Sequence, residues 1–154
     1  METITIQIFQ DDVYEEVAKA TDYTGSKLID SDEGARDRIL AADDDLAELS
    51  RFWEESVLAS NENLKEMLVS GKTKEILGKK GYEAVIEVSK SFDKELTASV
   101  QSTLRSLFIA SIIGQWFKFA NKGEAKDYFT QAADLMETAE RLLYSRRKPT
   151  RPTD

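Results

Sequence analysis

Residues 107–119 read LFIASIIGQWFKF, which is apolar around nearly the whole circumference of any helix they form. A helix that is apolar on every side must be buried on every side. Thirteen residues are too few for a bilayer, which takes about 20. The run therefore belongs at the centre of a packed domain or partly in a contact with a second molecule. In a chain of 154 residues a complete wrapping is difficult, so the expectation is that the stretch around Ile112 is sheltered in part by a subunit interface. Ala110, Ser111 and Gly114 are small enough to let another backbone approach.

The rest of the composition narrows the function classes. The length fits one domain, and 41% apolar and 32% charged residues with 7 Gly and 2 Pro describe a folding, helix-leaning chain. There is no Cys, which removes disulfides, thiol nucleophiles and thiolate metal sites. There is no His, the commonest general base and metal ligand. Met1, Glu2 and Thr3 lack the basic start of a signal peptide, and no uninterrupted apolar run approaches the length of a span. The expectation is a soluble protein made in the cytoplasm, with no membrane partner.

Charge is divided unevenly. Residues 1–70 carry 18 Asp/Glu and 6 Lys/Arg, a balance of −12, whereas residues 71–154 carry 11 and 15, a balance of +4. Such an asymmetry can orient subunits head to tail, an acidic face on one copy attracting a basic face on the next; the alternative is an ordinary solvated surface with unequal charges. The acidic excess leaves at most incidental nucleic-acid contact, because phosphates would be repelled.

Periodicity predicts a mainly α chain, a bundle of long helices with a two-stranded β ribbon. Ile4, Ile6 and Ile8 alternate with Thr5 and Gln7, the period of a strand over 3–9. Asp11 and Asp12 offer an N-cap, with Glu15 as capping-box partner, to a helix over 11–24 that Gly25 would end. Asp30, Ser31 and Asp32 start a second helix. Its apolar positions Ile39, Ala42, Leu46, Leu49, Trp53, Val57, Leu64 and Leu68 step by threes and fours, giving a helix over 32–69. Residues 70–81 read as a basic, Gly-punctuated loop. Tyr82, Ala84, Ile86 and Val88 alternate in a second strand over 82–89, the partner of the first. Ser91 or Asp93 caps a third helix over 94–120, and Asn121 with Glu124 opens a fourth over 122–144. Residues 1–144 form one helical domain, and 145–154, with Pro149, Pro152 and four cations, an extended basic tail.

Chemistry-bearing patterns are few. Ser70-Gly71-Lys72-Thr73 looks like the end of a P-loop, but Glu66 occupies the place of the required first Gly and a helix, not a strand, is expected before it. Asp43, Asp44, Asp45 and Glu48 form an acidic cluster without the spacing of a calcium loop, and read as a solvated or docking face. Glu15/Glu16 and Glu54/Glu55 are adjacent helix positions that do not converge on a substrate. Trp53, Trp116, Phe117 and Phe119 at helical spacing read as core. No catalytic, cofactor or metal site is expected.

The run WFKFANKGEA over 116–125, LLYSRRKPTR over 142–151, and the opening IQIF (6–9) with DVYEEV (12–17) resemble small proteins of phages and prophages of gut Bacteroidetes. In size and helical build these are similar to head–tail connector (adaptor) proteins, helical subunits that form a ring beneath the portal. The resemblance implies a virion structural or assembly protein, not an enzyme. It would act as a homo-oligomer with itself and with virion proteins such as portal, in the host cytoplasm during assembly and then in the virion. The alternative is a non-enzymatic helical binding module that regulates a host protein. The residues expected at interfaces are Ile4, Ile6 and Ile8, then Phe108, Ile112, Gly114 and Trp116, then Arg146, Arg147, Lys148 and Arg151.

Overall fold

A computed structural model describes residues 2–27, 45–120 and 122–146. Among the described residues the chain is mostly helical, with four helices and a three-stranded antiparallel sheet. Strand β1 (Glu2–Phe9) runs directly into helix α1 (Gln10–Lys27). Helix α2 (Leu46–Asn63) leads to a β-hairpin, β2 (Leu68–Ile76) and β3 (Lys79–Val88). A 3₁₀ turn (Lys94–Leu96) opens onto α3 (Thr97–Ala120), and α4 (Lys122–Tyr144) follows.

The sheet order is β1-β3-β2. The expected pairing of the first strand with 82–89 is present, with Ile4 opposite Ile86 and Ile6 opposite Ala84. Period-two alternation then does the sorting: Ile4, Ile6, Ile8, Tyr82, Ala84, Ile86 and Val88 are buried on one face, while Thr3 and Thr5 face solvent. The β1 edge is partly covered from above, since the Gln7 backbone N–H donates to Gln101 Oε1 of α3 at 2.9 Å.

Three expectations about this half of the chain are corrected. The ribbon has three strands, because residues 68–76, expected as helix end and loop, form β2. The helix expected over 32–69 ends at Asn63 in the structure, and its N-terminal part, like Asp30, Ser31, Asp32, Asp43 and Asp44, lies outside the described residues. Gly25, expected to stop the first helix, lies within α1, and Asp11 and Asp12 sit in its first turn, where acidic side chains favour the helix dipole. Asp93 does cap as expected, its carboxylate accepting from the Glu95 N–H at 3.1 Å. Asn121 lies outside the described residues.

The central correction concerns α3. Leu104, Phe108, Ile112 and Phe117 are fully buried within one chain, and Leu107, Ala110 and Ile113 nearly so. The sheet, α1, α2 and α4 together enclose the helix. Helix α4 runs back along α3, and its Phe129 ring fills the space over Gly114, where an added Cβ would stand 2.9 Å from the ring. The small residue does admit a close neighbour, but the neighbour belongs to the same chain. Lys94–Lys118 is long and apolar enough by length and composition to cross a membrane. Here that segment serves as the core helix of a layered domain.

Arg105 straps α3 to α1, pairing with Asp12 and, at 4.0 Å, with Glu16. Arg105 Nε and Nη2 donate to the two Asp12 carboxylate oxygens at 2.5 and 3.0 Å. The Arg105 hydrogen bond holds the Asp12 carboxyl below its ordinary pKa, against a smaller opposing push from burial. Both side chains are more than a third exposed, so solvent screening limits the pair to about 1 kcal/mol or less. A carboxyl whose folded pKa is depressed stabilises above the unfolded value and loses that contribution as pH falls. Asp12→Asn is therefore expected to be less stable than wild type at neutral pH, and the gap in urea midpoints should close below about pH 4.

Candidate functional site

The candidate site is the tip of the β2–β3 hairpin and the mount that holds it. Ile76 and Lys79 close the hairpin, and Leu77 and Gly78 make its two-residue turn with φ of 51° and 81°. Both residues are left-handed, the signature of the hairpin turn whose twist matches the strands. Gly adopts this backbone freely, but a γ-branched side chain at positive φ is strained by about 1–2 kcal/mol. Leu77 accepts that strain and is also 95% exposed. A turn selected for stability alone would carry Asn, Asp or Gly there. Leu77 is the most exposed of the large apolar side chains among the described residues.

The flanks are basic: Lys72, Lys74, Lys79 and Lys80 are all exposed. On the outer sheet face Lys74 pairs with Glu83 at 2.9 Å, and Gln7 Nε2 donates to Glu83 at 3.0 Å. The Gln7 hydrogen bond and then Lys74 hold the Glu83 carboxyl below its ordinary pKa. Elsewhere the surface is acidic, with Asp11, Asp12, Glu15, Glu48, Glu54, Glu55 and Glu62 exposed on α1 and α2.

The hairpin is mounted on α2 by a polar network set into an apolar core. Trp53 Nε1 donates to Thr73 Oγ1 at 2.9 Å. Two turns later on the same helix face, Asn61 Nδ2 donates to the Gly71 carbonyl at 2.8 Å, and Tyr82 Oη donates to Asn61 Oδ1 at 2.6 Å. Tyr82 is fully buried, and desolvation raises its pKa well above the ordinary value, so it remains a neutral donor. Below the network the rings of Trp53 and Phe108 meet edge to face at 5.1 Å, and Tyr82 stacks on Phe108 at 5.2 Å. Satisfied buried hydrogen bonds of this kind fix one orientation of the strand on the helix.

The residues expected at interfaces do not come together on this surface. Ile4, Ile6, Ile8, Phe108, Ile112 and Gly114 lie in the core of the single chain and present no face to a partner. Trp116 is half-buried against the same core. Arg146 is exposed and bridges through its backbone to Phe92, while Arg147, Lys148 and Arg151 lie outside the described residues. Trp53 and Phe117 are core, as expected, and the side chain of Phe119 lies outside the described residues.

The weaker motifs also find their places. Ser70, Gly71, Lys72 and Thr73 are strand residues of β2, not a phosphate-cradling loop before a helix. Glu15 and Glu16 both pair with Lys19, and Glu48 pairs with Arg51 at 2.6 Å. Among the described residues no group of three or more acidic side chains is placed to hold a metal ion. Sequence reasoning missed the hairpin tip, although Leu77-Gly78 between two polar, β-tolerant runs was a turn signal. No protein-family model, curated protein or solved structure matches the chain.

Proposed function

We propose that this chain is a non-catalytic assembly subunit of a phage or prophage virion, a connector-like protein that works through protein–protein contacts. The hairpin tip is its leading contact. One observation carries the reading: Leu77 is held 95% exposed in a left-handed turn, on a hairpin rigidly fixed to α2. Charge gives the contact direction, because the basic hairpin of one copy complements the acidic α1–α2 surface of the next. Two different surfaces meeting head to tail generate a ring when the rotation closes. The virion setting, and portal as a further partner, rest on the resemblance of the 116–125 and 142–151 runs to small phage proteins.

The experiment is light scattering of the protein over a range of concentrations, alone and with portal protein. Association is expected, and Leu77→Asp, or Lys79→Glu with Lys80→Glu, should weaken it at least about tenfold, as loss of a central anchor does. Both changes lie on the exposed turn and should leave the circular dichroism spectrum unchanged. A wild-type chain that stays monomeric with and without portal, or variants that associate as well as wild type, would overturn the reading.

A second reading is favoured by the closed core around α3. A chain that buries its own apolar helix can fold alone and act as a monomeric binding module on a host protein. Absence of the protein from purified virions, with a host protein retained by wild type and lost by Leu77→Asp, would select it.

A further inference from the structure

We propose that the outer edge of β2 takes an acidic, extended segment of a partner protein as a fourth strand of the sheet. The sheet order leaves β1 and β2 as edges. The β1 edge is occupied where the Gln7 N–H donates to Gln101. On β2 the two-residue turn makes Ile76 and Lys79 a hydrogen-bonded pair, so Lys74 and Lys72 also turn their backbone groups towards β3. Gly71, Thr73 and Glu75 then turn theirs outward. Gly71 marks the direction, because its carbonyl accepts from Asn61 Nδ2 of α2. Among the described residues no strand and no backbone hydrogen bond meets the outward N–H and C=O groups of Thr73 and Glu75. Such a row is a template for an added strand.

Charge and register select the occupant. Residues 68–80 carry four Lys and one Glu, and Lys72 and Lys74 are exposed on the edge strand itself. A second copy of β2 fits poorly. Antiparallel pairing sets outward residues opposite outward residues, so it joins odd positions to odd and even to even. Centred on Thr73, it puts Lys72 opposite Lys74; centred on Lys74 or Glu75, it puts that residue opposite its own counterpart. Like charges directly opposite are destabilising. An extended segment with Glu or Asp at alternate positions meets Lys72 and Lys74 instead, while its backbone bonds to Thr73 and Glu75. The inference rests on backbone groups of β2 and not on Leu77, so it stands apart from the tip contact.

The probe is a labelled peptide of alternating Glu and Val, followed by fluorescence anisotropy with the full chain. Binding is expected, and the same peptide with Lys in place of Glu should bind at least about tenfold more weakly. Glu75 is exposed, and Glu75→Pro removes one outward N–H, keeps the ladder to β3 and also removes a negative charge. It should weaken binding at least about tenfold, whereas Glu75→Gln, which removes the same charge and keeps the N–H, should bind at least as tightly as wild type. A fully N-methylated peptide leaves the protein untouched and should not bind. In the free chain, hydrogen exchange should be fast at the amides of Thr73 and Glu75 and slow at those of Lys72 and Lys74. Leu77→Asn, which suits the left-handed turn, should leave peptide binding unchanged. No binding of the probe, equal binding by Glu75→Pro and Glu75→Gln, binding of the N-methylated peptide, or slow exchange at Thr73 and Glu75 in the free chain would overturn the proposal. Loss of peptide binding in Leu77→Asn would overturn it in favour of the tip.

Discussion

Phe108→Ala should cost about 3–5 kcal/mol of folding free energy, the usual penalty for removing a fully buried ring. Phe108 sits where three elements meet: its ring faces Trp53 of α2 on one side and stacks on Tyr82 of β3 on another. No small movement closes the cavity, because those neighbours are pinned by hydrogen bonds to Thr73 and Asn61. Against a typical domain stability of about 5–15 kcal/mol, the loss is a large fraction of the total. Urea unfolding followed by tryptophan fluorescence should show a much lower midpoint with the slope unchanged. Were α3 an intersubunit surface, the same change would weaken association and leave the dilute chain's midpoint near wild type.

Gly71→Ala should be nearly as damaging, which is uncommon for one added methyl on a strand. The Cβ would collide with Asn61 Oδ1 and stand 2.9 Å from Tyr82 Oη. Asn61 cannot move aside cheaply, because it accepts from Tyr82 and donates to the Gly71 carbonyl. Displacing it leaves buried polar groups unpaired at about 1–3 kcal/mol each, so an overall loss of about 2–4 kcal/mol is expected. The diagnostic is non-additivity. Asn61→Ala removes the obstructing amide, so Gly71→Ala in that background should cost clearly less than in wild type. Equal costs in the two backgrounds would mean that Asn61 is not the obstacle.

These residues also explain what the sequence did and did not disclose. Ile4, Ile6 and Ile8 face an apolar layer, so β1 announces itself by alternation, and β3 does so through Tyr82, Ala84, Ile86 and Val88. Helices α3 and α4 emerge close to their expected bounds because each carries a long apolar pattern, and Asp93 caps the turn that leads into α3. Strand β2 is silent to the same reading. Its contacts with α2 are made by Gly71 and Thr73, a backbone carbonyl and a hydroxyl, which leave no hydrophobic rhythm. The cover over α3 comes from β1, α1, α2 and α4 of the same chain. The hairpin tip was hidden for a related reason: Leu77 is apolar and would be counted towards a core, whereas its left-handed backbone sets it outside.

The claim on which the rest depends is that one chain shelters its own apolar helix without a second molecule. It is tested most directly by urea unfolding of Leu77→Asp at protein concentrations about a hundredfold apart, because an obligate oligomer gains apparent stability by mass action. The account predicts a folded monomer with the same midpoint at both concentrations. A midpoint that rises with concentration, in a variant whose tip contact has been removed, would show that α3 needs a second molecule to cover it.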